Sequence, residues 1–228
     1  MDILTVDEIF DKIKKMVKAA EPSGYTALEE VVSRKRDPFK VLIAAILSHR
    51  TRDENTTRAV EALFSKYPSV ELLANAELDD IEELVKPAGF YRIKAKRIKE
   101  VSRIVLERYE GKVPKELKKL LELPSVGRKT ANCVLVYGYG IPAIPVDTHV
   151  HRISNRLGLV RTKNPDETEE ALAKVLDKSY WLEVNELFIR FGQTVCKPTL
   201  PRCSSCLLND RCPHHKRMKS GEVKERYV

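Results

Sequence analysis

Four cysteines in the last fifth of the sequence have the spacing of a metal-binding loop. Within 17 residues they follow the pattern C-x6-C-x2-C-x5-C, at Cys196, Cys203, Cys206 and Cys212. Soft thiolates packed this closely favour a metal, because disulfides are rare in a cytosolic chain. Zinc usually takes two short cysteine pairs and only one is present, whereas a four-iron four-sulfur cluster also suits four thiolates at irregular spacing. The spacing predicts metal and leaves zinc and the cluster both open.

A second group of chemically active residues lies in LLELPSVGRKTANCV, residues 120–134. A short helix is expected to end at a tight turn and a second helix to begin at once, with Gly127 supplying the backbone freedom of the turn. Amide groups at a helix start bind anions. The turn residues Ser125, Val126, Gly127 and Arg128 could therefore hold a DNA phosphate without reading a base.

Lys129 would lie in the first turn of that second helix. The positive end of the helix dipole disfavours a cation there and favours the neutral, nucleophilic amine. Asp147, 18 residues later, stands where a helix N-cap is expected, and it could also stabilise a sugar cation or move protons. His149 is expected to contact phosphate or to be structural rather than to bind a metal. A plain phosphate contact for Lys129 and a plain cap for Asp147 stay open as alternatives.

The charge of the chain is concentrated in one segment. The 228 residues carry a net charge of +8, and residues 86–130 alone hold 14 Lys and Arg against 5 Asp and Glu. Such a positive field attracts nucleic acid, although a solvated basic helix face would have the same composition. No apolar run approaches the ~20 residues of a membrane helix and no signal peptide is evident. We therefore expect a cytoplasmic protein, associated with the nucleoid if the source is prokaryotic, and a monomer that binds no membrane.

Helix signals recur along the chain and alternating strand patterns are absent, which predicts an all-α fold. Thr5-x-x-Glu8 and Thr26-x-x-Glu29 have the form of capping boxes, Asp37 is a candidate N-cap, and Asp53 could cap the helix that it begins. Cys133 is expected in the core. The expected helices are 39–48, Asp53–Lys66, Leu78–Val85, Arg92–Tyr109, Lys115–Leu121, Arg128–Tyr137, Asp147–Leu157, Asp166–Leu176 and Trp181–Val195.

Three motifs together resemble the endonuclease III family of DNA-repair glycosylases. They are LPSVGRKTA at residues 123–131, VDTHVHRISNRLG at residues 146–158, and the cysteine loop. VLIAAILSHRTRDENT at residues 41–56 and AGFY at residues 88–91 add to the similarity. The resemblance covers roughly Asp37 to Cys212, which is most of the chain.

The resemblance implies a fold of two domains. Residues 31–141 would form a six-helix barrel that contains a helix-hairpin-helix at about 117–136. Residues 1–30 and 142–228 would form a discontinuous helical domain that carries the iron–sulfur loop, 196–212. Damaged double-stranded DNA would bind between the two domains.

The resemblance also implies roles for individual residues. Lys129 matches the nucleophilic lysine, Asp147 matches the essential aspartate, and the four loop cysteines match the ligands of one four-iron four-sulfur cluster. Phe90 falls where the family inserts an apolar wedge, and Arg50 falls where a side chain fills the gap left by an extruded base. Ser125 replaces the usual glycine of the turn, while Arg50 and Phe90 replace the Gln and Leu common in bacterial members. The changes at Arg50 and Phe90 bear on the preference for the partner base and not on the chemistry, and a residue as small as Ser125 should still let phosphate approach.

The implied activity is that of a bifunctional DNA glycosylase and abasic-site lyase of base excision repair. Such an enzyme would excise a damaged base, with oxidised pyrimidines as the family expectation, through a Schiff base and would nick the strand by β-elimination. A monofunctional mismatch glycosylase is one alternative, although its members generally lack a lysine at the position of Lys129. A non-enzymatic DNA-binding protein with a zinc knot is another, and visible absorbance would separate zinc from an iron–sulfur cluster.

Overall fold

The computed structural model describes residues 5–20 and 36–222, and every regular element within these ranges is helical. The predicted all-α fold is confirmed. In chain order the α-helices are α1 (Val6–Ala19), α2 (Pro38–Ser48), α3 (Asp53–Lys66), α4 (Val70–Asn75), α5 (Leu78–Leu84), α6 (Tyr91–Tyr109), α7 (Leu117–Leu121), α8 (Arg128–Cys133), α9 (Thr148–Leu157), α10 (Pro165–Val175), α11 (Val184–Thr194) and α12 (Pro213–Lys219). A π-helical segment, Val134–Tyr139, continues α8, and 3-10 turns span Lys178–Tyr180 and Cys203–Ser205. None of the helices in these ranges is long and apolar enough to span a bilayer.

The chain divides into two compact units. One is continuous, Gly24–Pro145, and the other is built from Met1–Ser23 together with Val146–Val228. The second unit is therefore discontinuous in sequence. The domain boundaries implied by the resemblance, after residues 30 and 141, stay a prediction.

Helix α1 begins with the predicted capping box and joins the two parts of the discontinuous unit. The Glu8 amide donates to Thr5 Oγ1 at 3.2 Å, and the Thr5 amide donates to Glu8 Oε2 at 2.9 Å. The buried face of α1 places the Phe10 ring 5.6 Å from Phe188 and 4.3 Å from Tyr180. The second predicted capping box, Thr26 to Glu29, lies outside the described residues.

Among the described helices of the unit 24–145, α2 is the most deeply buried. Asp37 Oδ1 accepts from the amides of Phe39 and Lys40 at 3.0 and 3.1 Å, as predicted for an N-cap followed by proline. Its side chains from 41 to 47 are buried at every position, which explains why the sequence is apolar all round. Asp53 is not a cap, because Arg52 holds the cap position of α3 and Asp53 is the first helical residue.

Helix α8 continues into its π-helical segment against the start of α2. A Cβ built on Gly138 would lie 2.8 Å from Pro38 Cα, a contact that a real Cβ cannot make. Glycine at this position is therefore required by the close approach of the two helices. The sequence predicted one helix from 128 to 137, whereas the structure divides this stretch into α8 and the π-helical segment that ends at Tyr139.

The sequence missed two helices and misplaced the start of others. Helix α4 is only six residues long, too short to show a helical period, and it depends on Ser69 Oγ accepting from the Leu72 amide. Helix α12 follows the cysteine loop and begins at Pro213. Helix α11 begins at Val184 rather than Trp181 because a 3-10 turn and a further turn precede it, and α7 begins at Leu117 rather than Lys115. Short elements and their first turns depend on neighbours that no local pattern identifies.

Candidate DNA-binding and catalytic site

The turn between α7 and α8 has its left-handed residue at an unexpected position. Ser125 has φ +63°, whereas Gly127 has φ −91° and ψ −179°, an extended conformation open to any residue. The prediction that Gly127 supplies the backbone freedom of the turn is therefore wrong. The departure at Ser125 was the available signal, because this residue stands where the turn usually has glycine, the residue that favours a positive φ.

Val126 is the turn residue least able to contact a ligand. Its side chain is buried, and its amide donates to the Leu123 carbonyl at 3.2 Å. The prediction that Val126 joins an anion site is not supported by this geometry. Gly127, by contrast, is exposed, and a Cβ built on it would meet nothing within 4 Å.

The start of α8 is the part of the hairpin best suited to an anion. No side chain caps this helix, whose N-cap is Gly127. The first amides of a helix have no carbonyl partner within it, and they carry the positive end of the dipole. Arg128 and Lys129 occupy the first two helical positions, and both are half-buried.

His49 is a neighbour of Lys129 that sequence reasoning missed. Its Nε2 lies 3.0 Å from Thr130 Oγ1, which joins the end of α2 to the first turn of α8. Partial burial of the ring and the positive charges of Lys129 and Lys94 lower the pKa of His49. The imidazole is therefore neutral at neutral pH. No local signal could have found the contact, because it spans 81 residues.

Arg50 and Phe90 both adopt left-handed backbone conformations. Their φ angles are +52° and +59°, and the side chain of Phe90 is 62% exposed although it is large and apolar. Within the described ranges only five non-glycine residues have positive φ, and Arg50, Phe90 and Ser125 are three of them. Strained backbone of this kind concentrates at functional sites.

Lys94, one turn into α6, is buried next to both of these positions. Its Nζ donates to the Leu47 carbonyl and to Thr51 Oγ1, each at 2.6 Å. Burial lowers the pKa of Lys94 to about 8. In the sequence, Lys94 is one of many basic residues in the segment 86–130, and no local pattern distinguishes it from the others.

Asp147 is the N-cap of α9, as predicted. Its Oδ1 accepts from the Val150 amide at 2.8 Å, and the residue is half-buried. Gly158, with φ +77°, ends the helix in the expected left-handed cap. Asp147 belongs to the discontinuous unit, whereas Lys129 belongs to the unit 24–145.

His149 is packed inside the discontinuous unit. Its Nδ1 lies 3.2 Å from Arg152 Nη2, and a Cβ built on Gly192 would lie only 2.3 Å from that nitrogen. These contacts account for His149 as a structural residue. Its contact with DNA stays a prediction.

All four loop cysteines line one cavity of the discontinuous unit. Cys196, Cys203, Cys206 and Cys212 share its wall with Arg156 and His214, among other residues. Amides of Leu208 and of His214 and His215 donate to the sulfurs of Cys206 and Cys212. Burial and the charges of the other three thiols raise the pKa of Cys206 to about 11.

Arginines of α9 hold the first part of this loop. Arg156 donates to the carbonyls of Lys197 and Pro198 at 2.7 and 2.8 Å, and its Nη1 lies 3.5 Å from Cys196 Sγ. Arg152 donates to the Cys196 carbonyl at 3.0 Å. Thus the helix that Asp147 caps also carries the residues that order the cysteine loop.

The donor set of the loop fits an iron–sulfur cluster. Four thiols face one cavity, amide donors point at two of the sulfurs, and an arginine lies beside a third. Hydrogen bonds to cysteine sulfurs are a usual part of such sites. Within 5–20 and 36–222, no three His, Cys, Asp or Glu side chains converge closely enough to hold a single metal ion, so the fit to a cluster rests on the number, type and hydrogen bonds of the donors and not on the spacing of the sulfurs.

Comparisons with known proteins define first a class and then a family. Residues 43–178 match the family described as "HhH-GPD superfamily base excision DNA repair protein". The chain is 51% identical to endonuclease III of Thermotoga maritima over 85% of this chain and 91% of the relative, and 40% identical to endonuclease III of Bacillus subtilis over 82% and 87%. The chain therefore belongs to the endonuclease III family of that superfamily.

Solved structures agree with this assignment. A trapped endonuclease III–DNA covalent intermediate matches with a TM-score of 0.81 and 35% identity, over 95% of this chain and 99% of that one. The chain is a base excision repair DNA glycosylase with abasic-site lyase activity, and it binds DNA. The predicted enzyme class is confirmed, and the alternative of a non-enzymatic binding protein is not supported.

Proposed function

We propose that this enzyme excises damaged bases, with oxidised pyrimidines as the substrate class, from duplex DNA by covalent catalysis at Lys129. Lys129 Nζ gives up a proton and attacks the anomeric carbon of the sugar, the glycosidic bond breaks, and the base leaves with its bonding electrons and takes up a proton. Opening of the sugar ring gives an iminium ion. The adjacent C2′ proton is then removed, and the C3′–oxygen bond breaks, which nicks the strand.

The observation that carries this proposal is the placement of Lys129. It lies in the first turn of an uncapped helix, two residues after the exposed Gly127. A phosphate at that helix start would bring the DNA backbone to the lysine without base contact. A solved relative is described as a trapped covalent intermediate with DNA, which supports the same type of chemistry.

Asp147 is proposed as the partner of Lys129 in proton transfer and charge stabilisation. One of its oxygens is committed to the Val150 amide, which fixes the carboxylate at the start of α9. A carboxylate held in one orientation can stabilise positive charge on the sugar at little reorganisation cost. The cap role and the catalytic role are compatible, because they use the same fixed position.

Five other residues are proposed to contact DNA, two at the extruded base and three at the hairpin. Phe90 would enter the base stack as an apolar wedge, and Arg50 would fill the gap left by the extruded base, where it would face the base of the opposite strand. Exposure of the large Phe90 ring supports the first role, since burial would otherwise be favourable. Ser125 would contact the backbone of the strand at the hairpin, with Gly127 and Arg128.

The four loop cysteines are proposed to bind one four-iron four-sulfur cluster. The cluster would order the loop that follows α11, next to Arg152 and Arg156 of α9. We assign it a structural role. The enzyme is further proposed to act as a monomer on damaged double-stranded DNA.

A borohydride trapping experiment tests the role of Lys129. Wild-type enzyme, Lys129→Gln and Lys118→Gln are incubated with a duplex that carries one oxidised pyrimidine, and borohydride is added to reduce any imine. Lys118 is an exposed lysine of the same hairpin and serves as the matched control. We expect a covalent adduct with the wild type and the control, none with Lys129→Gln, and a loss of excision on the order of 10³-fold or more for that variant.

Other results would change the assignment. An adduct that persists in Lys129→Gln would place the nucleophile elsewhere. Base loss without any adduct in the wild type would indicate a monofunctional glycosylase. An abasic site in place of the oxidised base would show whether the lyase step proceeds when the lesion itself is not a substrate.

A further inference from the structure

One buried lysine ties together the two segments that carry Arg50 and Phe90. Lys94 is only 6% exposed, and its Nζ donates to the Leu47 carbonyl and to Thr51 Oγ1, each at 2.6 Å. Both acceptors are uncharged oxygens. A buried ammonium group held by neutral oxygens is costly, so its position needs an explanation beyond packing.

The end of α2 explains why a cation is tolerated here. The Leu47 carbonyl lies in the last turn of α2, where carbonyl groups lack an amide partner within the helix. This end of the helix also carries the negative end of the dipole. Lys94 therefore caps α2 from a different helix.

Thr51 extends the contact to the segment before α6. Its hydroxyl accepts from Lys94 Nζ and also from the Gly89 amide at 3.1 Å, while it donates to the His49 carbonyl at 3.3 Å. The backbone amide of Lys94 donates to the Phe90 carbonyl at 3.1 Å. One lysine and one hydroxyl group thus fix residues 49–51 against residues 89–90.

We infer that Lys94 is a positioning residue, which holds Arg50 and Phe90 in the geometry needed to replace an extruded base. The inference rests on the roles proposed above for those two side chains. Arg50 lies between His49 and Thr51, which are joined by the hydrogen bond from the Thr51 hydroxyl to the His49 carbonyl. Phe90 directly follows Gly89, whose amide donates to the same hydroxyl. Both have left-handed backbone conformations, which persist only where the surroundings enforce them.

We call the bonds of Lys94 and Thr51 that fix residues 49–51 against residues 89–90 the clamp. The clamp matters more for excision of an intact base than for imine formation at an abasic site. Extruding an intact base requires the wedge and the gap-filling side chain at the same moment, and misplacement of about 1 Å can cost on the order of 100-fold in rate. A preformed abasic site has no base to extrude. Loss of the clamp should therefore slow excision much more than it slows imine formation at an abasic site.

The test compares Lys94→Met with Lys96→Met, which removes a charge from an exposed position of the same helix. Two quantities are measured for each variant: the single-turnover rate of excision of an oxidised pyrimidine, and the rate of borohydride trapping on an abasic site. For Lys94→Met we expect excision to fall on the order of 10- to 100-fold and trapping to fall by less than about threefold. For Lys96→Met both should change by less than about threefold.

Hydrogen exchange gives a second measurement that does not depend on activity. In Lys94→Met, amide exchange of residues 48–52 and 86–91 should become about 3- to 10-fold faster, since each lost hydrogen bond shifts local opening by about that factor. In Lys96→Met it should not change. Unchanged exchange in Lys94→Met, or equal losses of excision and trapping, would overturn the inference.

Thr51 provides a second route if Lys94→Met does not fold. Thr51→Val removes the shared hydroxyl group, and Thr51→Ser keeps it. We expect Thr51→Val to give the selective loss of excision and Thr51→Ser to retain most of the rate, whereas equal behaviour of the two variants would contradict the clamp. If the wild type neither excises nor traps, the proposed function fails, and the exchange measurement still decides whether the clamp exists.

Discussion

At the scale of single residues, the hairpin turn has its strained backbone at Ser125 and its unoccupied space at Gly127. Ser125 adopts the left-handed conformation, which costs a non-glycine residue about 1 kcal/mol. Gly127 is extended and has no neighbour within 4 Å of a built Cβ, so the fold itself does not require glycine there. A requirement for glycine at 127 would have to come from outside the chain, from a phosphate that approaches the backbone closely.

This difference predicts that a substitution at Gly127 changes DNA binding, whereas a substitution at Ser125 changes stability. Gly127→Ala should leave the free energy of unfolding within about 0.5 kcal/mol of wild type but should weaken DNA binding about tenfold, because its methyl group would occupy the phosphate position. Ser125→Gly should raise the free energy of unfolding by about 0.5–1 kcal/mol, because it relieves the positive φ. Denaturant unfolding and titration of a labelled duplex measure the two quantities. Wild-type affinity in Gly127→Ala would show that no ligand approaches this residue.

Local sequence patterns predicted residues at helix starts and missed long-range contacts. Asp37 and Asp147 were placed correctly as caps, because a cap depends only on the few residues that follow it. The contact from His49 to Thr130 spans 81 residues, and that from Lys94 to Thr51 spans 43. Such pairs come together only through the packing of whole helices, which explains why the sequence did not reveal them.

At the scale of elements, the segment that follows α2 is fixed from two sides. Lys94 of α6 binds it through the carbonyl of Leu47 and the hydroxyl of Thr51, and His49 links it to α8 through Thr130. The end of α2 therefore connects the hairpin with the segment that leads to Phe90. A substitution at His49 should therefore affect the start of α8, because it removes the contact with Thr130.

The lowered pKa of His49 predicts a pH dependence of stability. As the pH falls through and below 6.5, the unfolded chain binds a proton at His49 while the folded protein resists it, so folding loses stability. His49→Gln should remove this contribution. The difference in free energy of unfolding between wild type and variant should stay constant above about pH 7.5 and shift against the wild type below pH 6.5. A difference that stays flat from pH 5 to 8 would show that burial and the nearby lysines do not act on His49.

At the scale of the whole molecule, the cysteine loop is supported by α9, the helix that Asp147 caps. Arg152 and Arg156 of α9 donate to three carbonyls of the loop. The helix class and most helix bounds followed from caps and periodicity. The division into a continuous and a discontinuous unit did not follow from any local pattern, because it depends on contacts between distant parts of the chain, such as Phe10 with Phe188.

The proposed cluster predicts different outcomes for cysteines in the two units. Cys206→Ser should abolish visible absorbance and bound iron, and it should lower the free energy of unfolding by more than about 2 kcal/mol, because a bound metal group stabilises the fold that binds it. Cys133→Ala, which changes a buried cysteine of the other unit, should keep both absorbance and iron. Absorbance spectra, metal analysis and denaturant unfolding test this. A colourless wild type that contains zinc would favour the zinc knot.

The discontinuous unit also has a consequence for the order of events on the ribosome. Helix α1 leaves the exit tunnel before residues 24–145, and the rings that cover Phe10, those of Tyr180 and Phe188, are made only after the whole of that unit. At typical rates of translation this interval is roughly 8 to 30 seconds. During that time the apolar face of α1 lacks the aromatic rings that cover it in the folded protein, while residues 24–145, which form a compact unit of their own, have already been synthesised. The nascent chain should therefore hold residues 24–145 while the apolar face of α1 is still exposed to solvent. Chaperones recognise exposed apolar segments of this kind.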